Sequence, residues 1–274
     1  MRVDSHQHFW RYSEADYPWI KSDWPIRRDY LPEHLAPELE NCGLNGCVAV
    51  QARQSLEETR WLLELADAST MVQGVVGWVD LCSPQVRVQL DQVATHPKLV
   101  GVRHVVQDEP DDRFMLRADF RRGIAALLDY GLTYDILIFP KQLPAAIELV
   151  RAFPDQPFVL DHLAKPLIRD GVISGWREQI RELAAFPNVM CKVSGLVTEA
   201  RWDAWRAEDF SPYLDVAIEA FGEDRLMYGS DWPVALLAGN YARVFALAND
   251  YLSQLGCEAE AKIFGHNAVR FYDL

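Results

Sequence analysis

Apolar positions along the chain fall into two rhythms. Short runs rich in Val, Ile and Leu alternate with longer stretches in which apolar residues recur at helical spacing. The short runs are Arg2–His8, Gly46–Gln51, Gln73–Asp80, Leu99–His104, Leu132–Phe139, Pro157–His162, Val189–Ser194 and Arg225–Asp231. Helical spacing covers Leu35–Asn41, Leu56–Ser69, Pro84–Thr95, Phe120–Tyr130, Pro144–Phe153, Trp176–Phe186 and Trp202–Phe221, with two last helices at Tyr241–Leu255 and Glu258–Phe264. Eight strand–helix units in 274 residues predict parallel strands joined by crossover helices, a single (β/α)8 barrel domain over residues 1–274. A doubly wound sheet uses the same elements, but the first strand lacks the glycine-rich turn of a dinucleotide site. No linker or low-complexity tract divides the chain.

One long loop interrupts the alternation. Between the first strand and the first helix, Phe9 to Pro37 carries Trp10, Tyr12, Tyr17, Trp19, Trp24 and Tyr30 among prolines and charges. So many aromatics argue for order, and a loop of this length predicts a flap over a pocket.

Composition narrows the function. Half the residues are hydrophobic, enough for a sizeable core, and the formal net charge of -13 excludes the clustered basic surface that nucleic acid requires. Five cysteines without a C-x-x-C pair read as reduced thiols. No secretory signal pattern opens the sequence and no apolar run approaches the ~20 residues of a membrane span, so the expectation is a cytoplasmic protein without a membrane partner. No pattern speaks to oligomeric state.

In such a barrel the chemistry lies at the C-terminal ends of the strands. There the sequence places His6 and His8, Gln51 and Arg53, Trp78 and Asp80, Arg103 and His104, Asp135, Asp161 and His162, Lys192 and Ser194, and finally Ser230, Asp231 and Trp232. Buried charge is costly unless paired or used, so the ring is either a site or a salt-bridge network closing the barrel mouth. His6 and His8 share a strand face, and with His162 and Asp231 they supply the donor types for one divalent ion. Without an ion, Asp231 would be a general base on water, and the histidines with Arg103 or His104 would hold a carbonyl oxygen as it gains charge. Arg103 and His104 are strand neighbours, so only one faces the barrel; the small Gly101 favours Arg103. Arg53, Gln51 and Trp78 suit sugar hydroxyls, or else make a rim salt bridge and a core tryptophan.

Four segments together resemble the amidohydrolase superfamily: Asp4-Ser5-His6-Gln7-His8-Phe9-Trp10, Leu160-Asp161-His162, Tyr228-Gly229-Ser230-Asp231-Trp232-Pro233 and the closing Gly265-His266-Asn267-Ala268-Val269-Arg270-Phe271-Tyr272. Within it they are similar to the lactonase-like amidohydrolase-2 branch, and most to sugar lactonases of the L-fuconolactonase and L-rhamnonolactonase kind. The resemblance spans the chain. It implies a barrel, hydrolysis of a cyclic ester in carbohydrate breakdown, and a site at His6, His8, His162 and Asp231. The chain departs from binuclear members: Gly101-Val102-Arg103-His104 offers no strand-four lysine, and Asp135 stands where strand five would end in histidine. Because the branch includes members that work without metal, the resemblance implies either no required cofactor or a single divalent ion, with zinc first. His266 and Asn267 read as structural, Asn267 as a helix cap. The working expectation is a hydrolase opening a sugar lactone with Asp231 as base. The alternatives are a metal-dependent decarboxylase or amide hydrolase of the same superfamily, and a non-catalytic barrel that binds a small carbohydrate.

Overall fold

The computed structural model describes all 274 residues. Eight strands lie side by side in sequence order, all parallel: β1 (Val3–Gln7), β2 (Gly46–Val50), β3 (Val72–Gly77), β4 (Leu99–His104), β5 (Thr133–Ile136), β6 (Phe158–Leu160), β7 (Val189–Val193) and β8 (Leu226–Tyr228). The sheet closes where β1 meets the segment after β8. Asp231 N–H donates to the His6 carbonyl at 2.8 Å and His8 N–H to the Trp232 carbonyl at 2.7 Å. These bonds set the first and last site-bearing segments side by side.

A helix follows each strand: α1 (Pro32–Asn41), α2 (Leu56–Ala68), α3 (Val86–Val93), α4 (Ala118–Leu127), α5 (Leu143–Ala152), α6 (Trp176–Ala184), α7 (Ser211–Phe221) and α8 (Tyr241–Leu252). Two short helices end the chain, α9 (Cys257–Ala261) and α10 (Asn267–Tyr272). None is long and apolar enough to cross a membrane. Of the one or two helices predicted over Trp202–Phe221, a single α-helix forms, in the second half. Pro212 suits a first turn, where its missing N–H loses no bond, so α7 begins at Ser211 and Trp202 stays in a turn. β6 and β8 also stop short of prediction. His162 (φ 54) and Asp231 (φ 58) take left-handed backbone, which cannot continue a strand.

Strands buried on both faces explain the near-continuous apolar runs. Outside the sheet, the helices pack on one large core that also takes in Phe9, Trp10, Tyr17, Ile20, Ile26 and Tyr30 of the long loop. Inside, Val3, Val48, Val50, Val76, Val100, Val159, Met190 and Met227 form a second core with Ala268 and Tyr272 of α10. The terminal helix therefore plugs the lower end of the barrel. Asn267 does not cap it: its amide donates to the Glu223 and Leu226 carbonyls, both at 2.7 Å, and ties α10 to the start of β8.

Candidate active site

The upper end of the barrel opens into a cleft of about 630 Å³. His8, Arg103, His162 and Asp231 line its floor; Asp16, Trp19 and Trp24 of the long loop, with Arg53, Lys165, Glu199 and Trp202, line its walls. Three imidazole nitrogens gather around one carboxylate oxygen. His8 Nε2, His162 Nε2 and His6 Nε2 stand 3.3, 3.9 and 4.0 Å from Asp231 Oδ1. The pairing β1 makes across the closure, and the positive φ of both Asp231 and His162, bring them there.

Partners fix the hydrogen positions. His8 Nδ1 lies 2.8 Å from the Val50 carbonyl, which can only accept, so Nδ1 carries a hydrogen and donates it. Its Nε2 faces another pure acceptor in Asp231. A neutral imidazole has one hydrogen only, so with Nδ1–H given to Val50 the Nε2 lone pair faces the carboxylate, as it would beside a shared divalent ion. His162 Nδ1 shares a 2.8 Å hydrogen bond with the Ser194 hydroxyl. Burial pushes the His162 and His6 imidazoles well below their usual range and keeps them neutral, as metal ligation or hydrogen-bond acceptance requires. Burial alone would raise the Asp231 carboxyl, but the His162 and His8 rings beside it hold it below the ordinary value, so it is ionised.

The donor set fits one zinc-like ion. The ligand atoms of His6, His8 and Asp231 lie within 4.8 Å of one another, near the roughly 3.4 Å separation of ligands ~2.1 Å from a tetrahedral centre, and the Val50 carbonyl orients the His8 ring. His162 falls in a separate group with His6 and Asp161. His6 Nε2 is less free, since Arg103 donates to it at 3.2 Å. An ion drawing on His6 would displace that guanidinium bond.

Below the floor lies a second polar layer. Arg103 donates to Asp161 at 3.2 Å and to the Gln51 carbonyl and Gln51 Oε1 at 2.5 and 3.0 Å. His6 Nδ1 lies 3.2 Å from Lys192 Nζ, which can only donate to it, and 3.2 Å from Asp161 Oδ1. Lys192 Nζ donates to Asp135 at 2.5 Å and lies 3.3 Å from Asp161, and the Tyr272 hydroxyl donates to Asp135 from below. Burial would raise Asp161, but Lys192 and His6 hold it well below the carboxylate range. Asp135 is pushed up to about 6 by burial against the pull of Lys192. The ring of strand-end charges is thus both things the sequence allowed: a salt-bridge network within the barrel, and a histidine–carboxylate cluster above it, joined at His6.

The structure divides the sequence-predicted binding residues. Arg103 faces inward and lines the cleft; Gln51 holds Arg103 from behind; Arg53 lines the wall in a 2.9 Å ion pair with Asp16. His104 is not part of the site. It stacks on Phe114 with ring centroids 5.0 Å apart and bonds Glu109 at 2.7 Å, on the helix side of β4. Trp78 is also absent from the cleft. β3 ends at Gly77, and the Trp78 N–H and carbonyl both bond the Thr59 hydroxyl on α2. Lys165, Glu199 and Trp202 carried no sequence signal, because each sits in a loop whose path only the assembled barrel decides.

The amidohydrolase family model matches residues 3–274. The chain is 44% identical to the L-fucono-1,5-lactonase of Burkholderia multivorans over 100% of this chain and 96% of that protein. To the L-fucono-1,5-lactonase of Burkholderia ambifaria it is 40% identical, over 99% and 95%. A crystal structure of an amidohydrolase from Burkholderia multivorans with bound zinc superposes with a TM-score of 0.96 at 44% identity, covering 100% of this chain and 99% of that one. A 2,6-dihydroxybenzoate decarboxylase shares the fold alone, at 12% identity and a TM-score of 0.69. With the family model matching residues 3–274 and the chain folded as an eight-stranded parallel barrel, the chain belongs to the amidohydrolase family.

Proposed function

We propose that the protein hydrolyses a neutral sugar lactone of the L-fucono-1,5-lactone type to its aldonic acid. The observation that carries this reading is the charge pairing of the cleft. Its guanidinium groups, Arg53 and Arg103, stand 2.9 and 3.2 Å from carboxylates of Asp16 and Asp161. Guanidinium charges already paired offer little to an anionic substrate, while paired charges around aromatic walls suit hydroxyls and a sugar ring. The names of the relatives at 44% and 40% identity support the same substrate class.

In this mechanism Asp231, ionised and facing the imidazoles, takes a proton from water as the water attacks the lactone carbonyl. Arg103 lies where negative charge gathers on the carbonyl oxygen. A divalent ion held by His6, His8 and Asp231 would supply Lewis acidity at the same carbonyl. Hydrogen bonds that Arg103 donates to Gln51 and Asp161 keep its guanidinium aimed at the floor.

A pH-indicator assay over a panel of aldonolactones tests this, with 2-pyrone-4,6-dicarboxylate as the anionic comparison and with chelator and zinc arms. Opening of an L-configured aldonolactone is expected, with Asp231→Asn lowering kcat by ~10²-fold or more. Hydrolysis of no aldonolactone, or preference for the dicarboxylate, would sink the reading. Loss of activity on chelation, restored by zinc, assigns a metal to the site; indifference to chelator shows that the reaction runs without one.

A further inference from the structure

We propose that Glu199 is the acid that gives a proton to the departing ring oxygen, held in place by Lys165; the assignment rests on the lactone-opening reading above. Lactone hydrolysis has two proton problems. Asp231 answers the first, removing a proton from the attacking water. The second arises when the tetrahedral intermediate collapses: the bond from the carbonyl carbon to the ring oxygen breaks, and the oxygen leaves as a strongly basic alkoxide unless protonated.

Glu199 is placed for that second task. It ends the single turn Val197–Glu199 after β7 and lines the same cleft as Asp231. The turn is pinned, because the Thr198 hydroxyl donates to the Gly195 carbonyl at 2.8 Å and the Trp202 indole to the Thr198 carbonyl at 2.9 Å. Lys165 Nζ lies 3.8 Å from Glu199 Oε1. Lys165 itself ends four consecutive non-glycine residues at positive φ, His162 to Lys165, conformations that cost about 1–2 kcal/mol each. Strain retained at both His162 and Lys165 marks a turn kept for where it puts these side chains. Burial pushes the Glu199 carboxyl up, against the pull of Lys165.

The step balances. Water loses one proton to Asp231 and adds its oxygen to the carbonyl carbon. The ring carbon–oxygen bond then breaks, its electron pair goes to the ring oxygen, and that oxygen takes the Glu199 proton. Asp231 releases its proton to solvent and Glu199 regains one from solvent.

Glu199→Gln tests the assignment on two substrates: an aldonolactone opened by the unmodified protein, and dihydrocoumarin, whose phenolate leaves without prior protonation. With the general acid lost, kcat on the aldonolactone is expected to fall ~10²–10⁴-fold with KM little changed, and dihydrocoumarin turnover to stay within a few-fold. Equal loss on both substrates, a change in KM alone, or no change on the aldonolactone overturns the proposal. If dihydrocoumarin is too poor a substrate, the split between kcat and KM decides. Should the Gln variant not fold, Glu199→Asp, which keeps a carboxyl beside Lys165, is expected to retain a measurable part of kcat with unchanged KM; full kcat overturns the assignment. Failure of the unmodified protein on every aldonolactone refutes the lactonase reading instead.

Discussion

Gly195 shows how little room the site leaves at the scale of one residue. Its φ is +61, and a Cβ added there would lie 2.4 Å from His162 Nδ1. Gly229 stands in the same relation to His6, at 2.5 Å from its Cβ. Glycine is needed at Gly195 on both counts, backbone and space. Gly195→Ala is expected to destabilise the fold by ~2 kcal/mol or more and to lower kcat by pushing the His162 ring off Asp231. Thermal denaturation and lactone turnover check it together; unchanged activity in a folded variant would show that His162 needs no fixed position. None of this is visible in the sequence, where a glycine after Ser194 reads as an ordinary strand end.

At the scale of elements, Glu58 joins the long loop to α2. It is the third residue of α2, after the cap formed by the Ser55 hydroxyl. Its carboxyl accepts from Ala52 and Arg53 N–H at 2.9 and 2.7 Å and from the Tyr17 hydroxyl at 3.0 Å. The loop that lines the cleft and the turn that carries Arg53 are thereby fastened to one buried group. Burial outweighs these three donors and raises the Glu58 carboxyl from 4.5 to about 7. Between those values the folded chain holds a proton that the unfolded chain has released, so stability falls as pH rises through the window, by at most roughly 3 kcal/mol from this group. Glu58→Gln, which keeps acceptor and shape, is expected to flatten that decline. Denaturation midpoints at pH 5 and pH 7.5 measure it, and an equal decline in both proteins would remove Glu58 as the cause. The order of this loop was legible from its aromatics; its attachment through α2 was not, because Tyr17 and Glu58 are distant in sequence.

For the whole molecule, the two ends of the barrel are linked through its interior. Tyr272 enters from below with α10, bonds Asp135, and through Lys192 and Asp161 reaches His6 beneath the cleft. Removing the ring leaves a cavity in the inner core and strips a donor from a buried carboxylate. Tyr272→Ala is expected to cost about 3–5 kcal/mol, and Tyr272→Phe only about 1–2. Denaturant midpoints separate the two, and an Ala variant losing under ~1 kcal/mol would deny the plug its role.

The sequence by itself determined the barrel and the identity of its central groups. Strand and helix periods are local properties, and His6, His8, His162 and Asp231 sit at strand ends that those periods locate. It also settled that only one of Arg103 and His104 faces inward, since strand neighbours point to opposite faces. The tertiary structure decided the rest. It sorted the strand-end charges into a buried ion-pair layer and an open cleft, because depth in a barrel depends on the stagger between strands. It turned Trp78 and His104 away, because α2 and the segment around Phe114 offered them partners. And it brought Lys165 and Glu199 to the cleft wall, since a left-handed turn and a loop crossing obey contacts made across the closed barrel and leave no periodic trace along the chain.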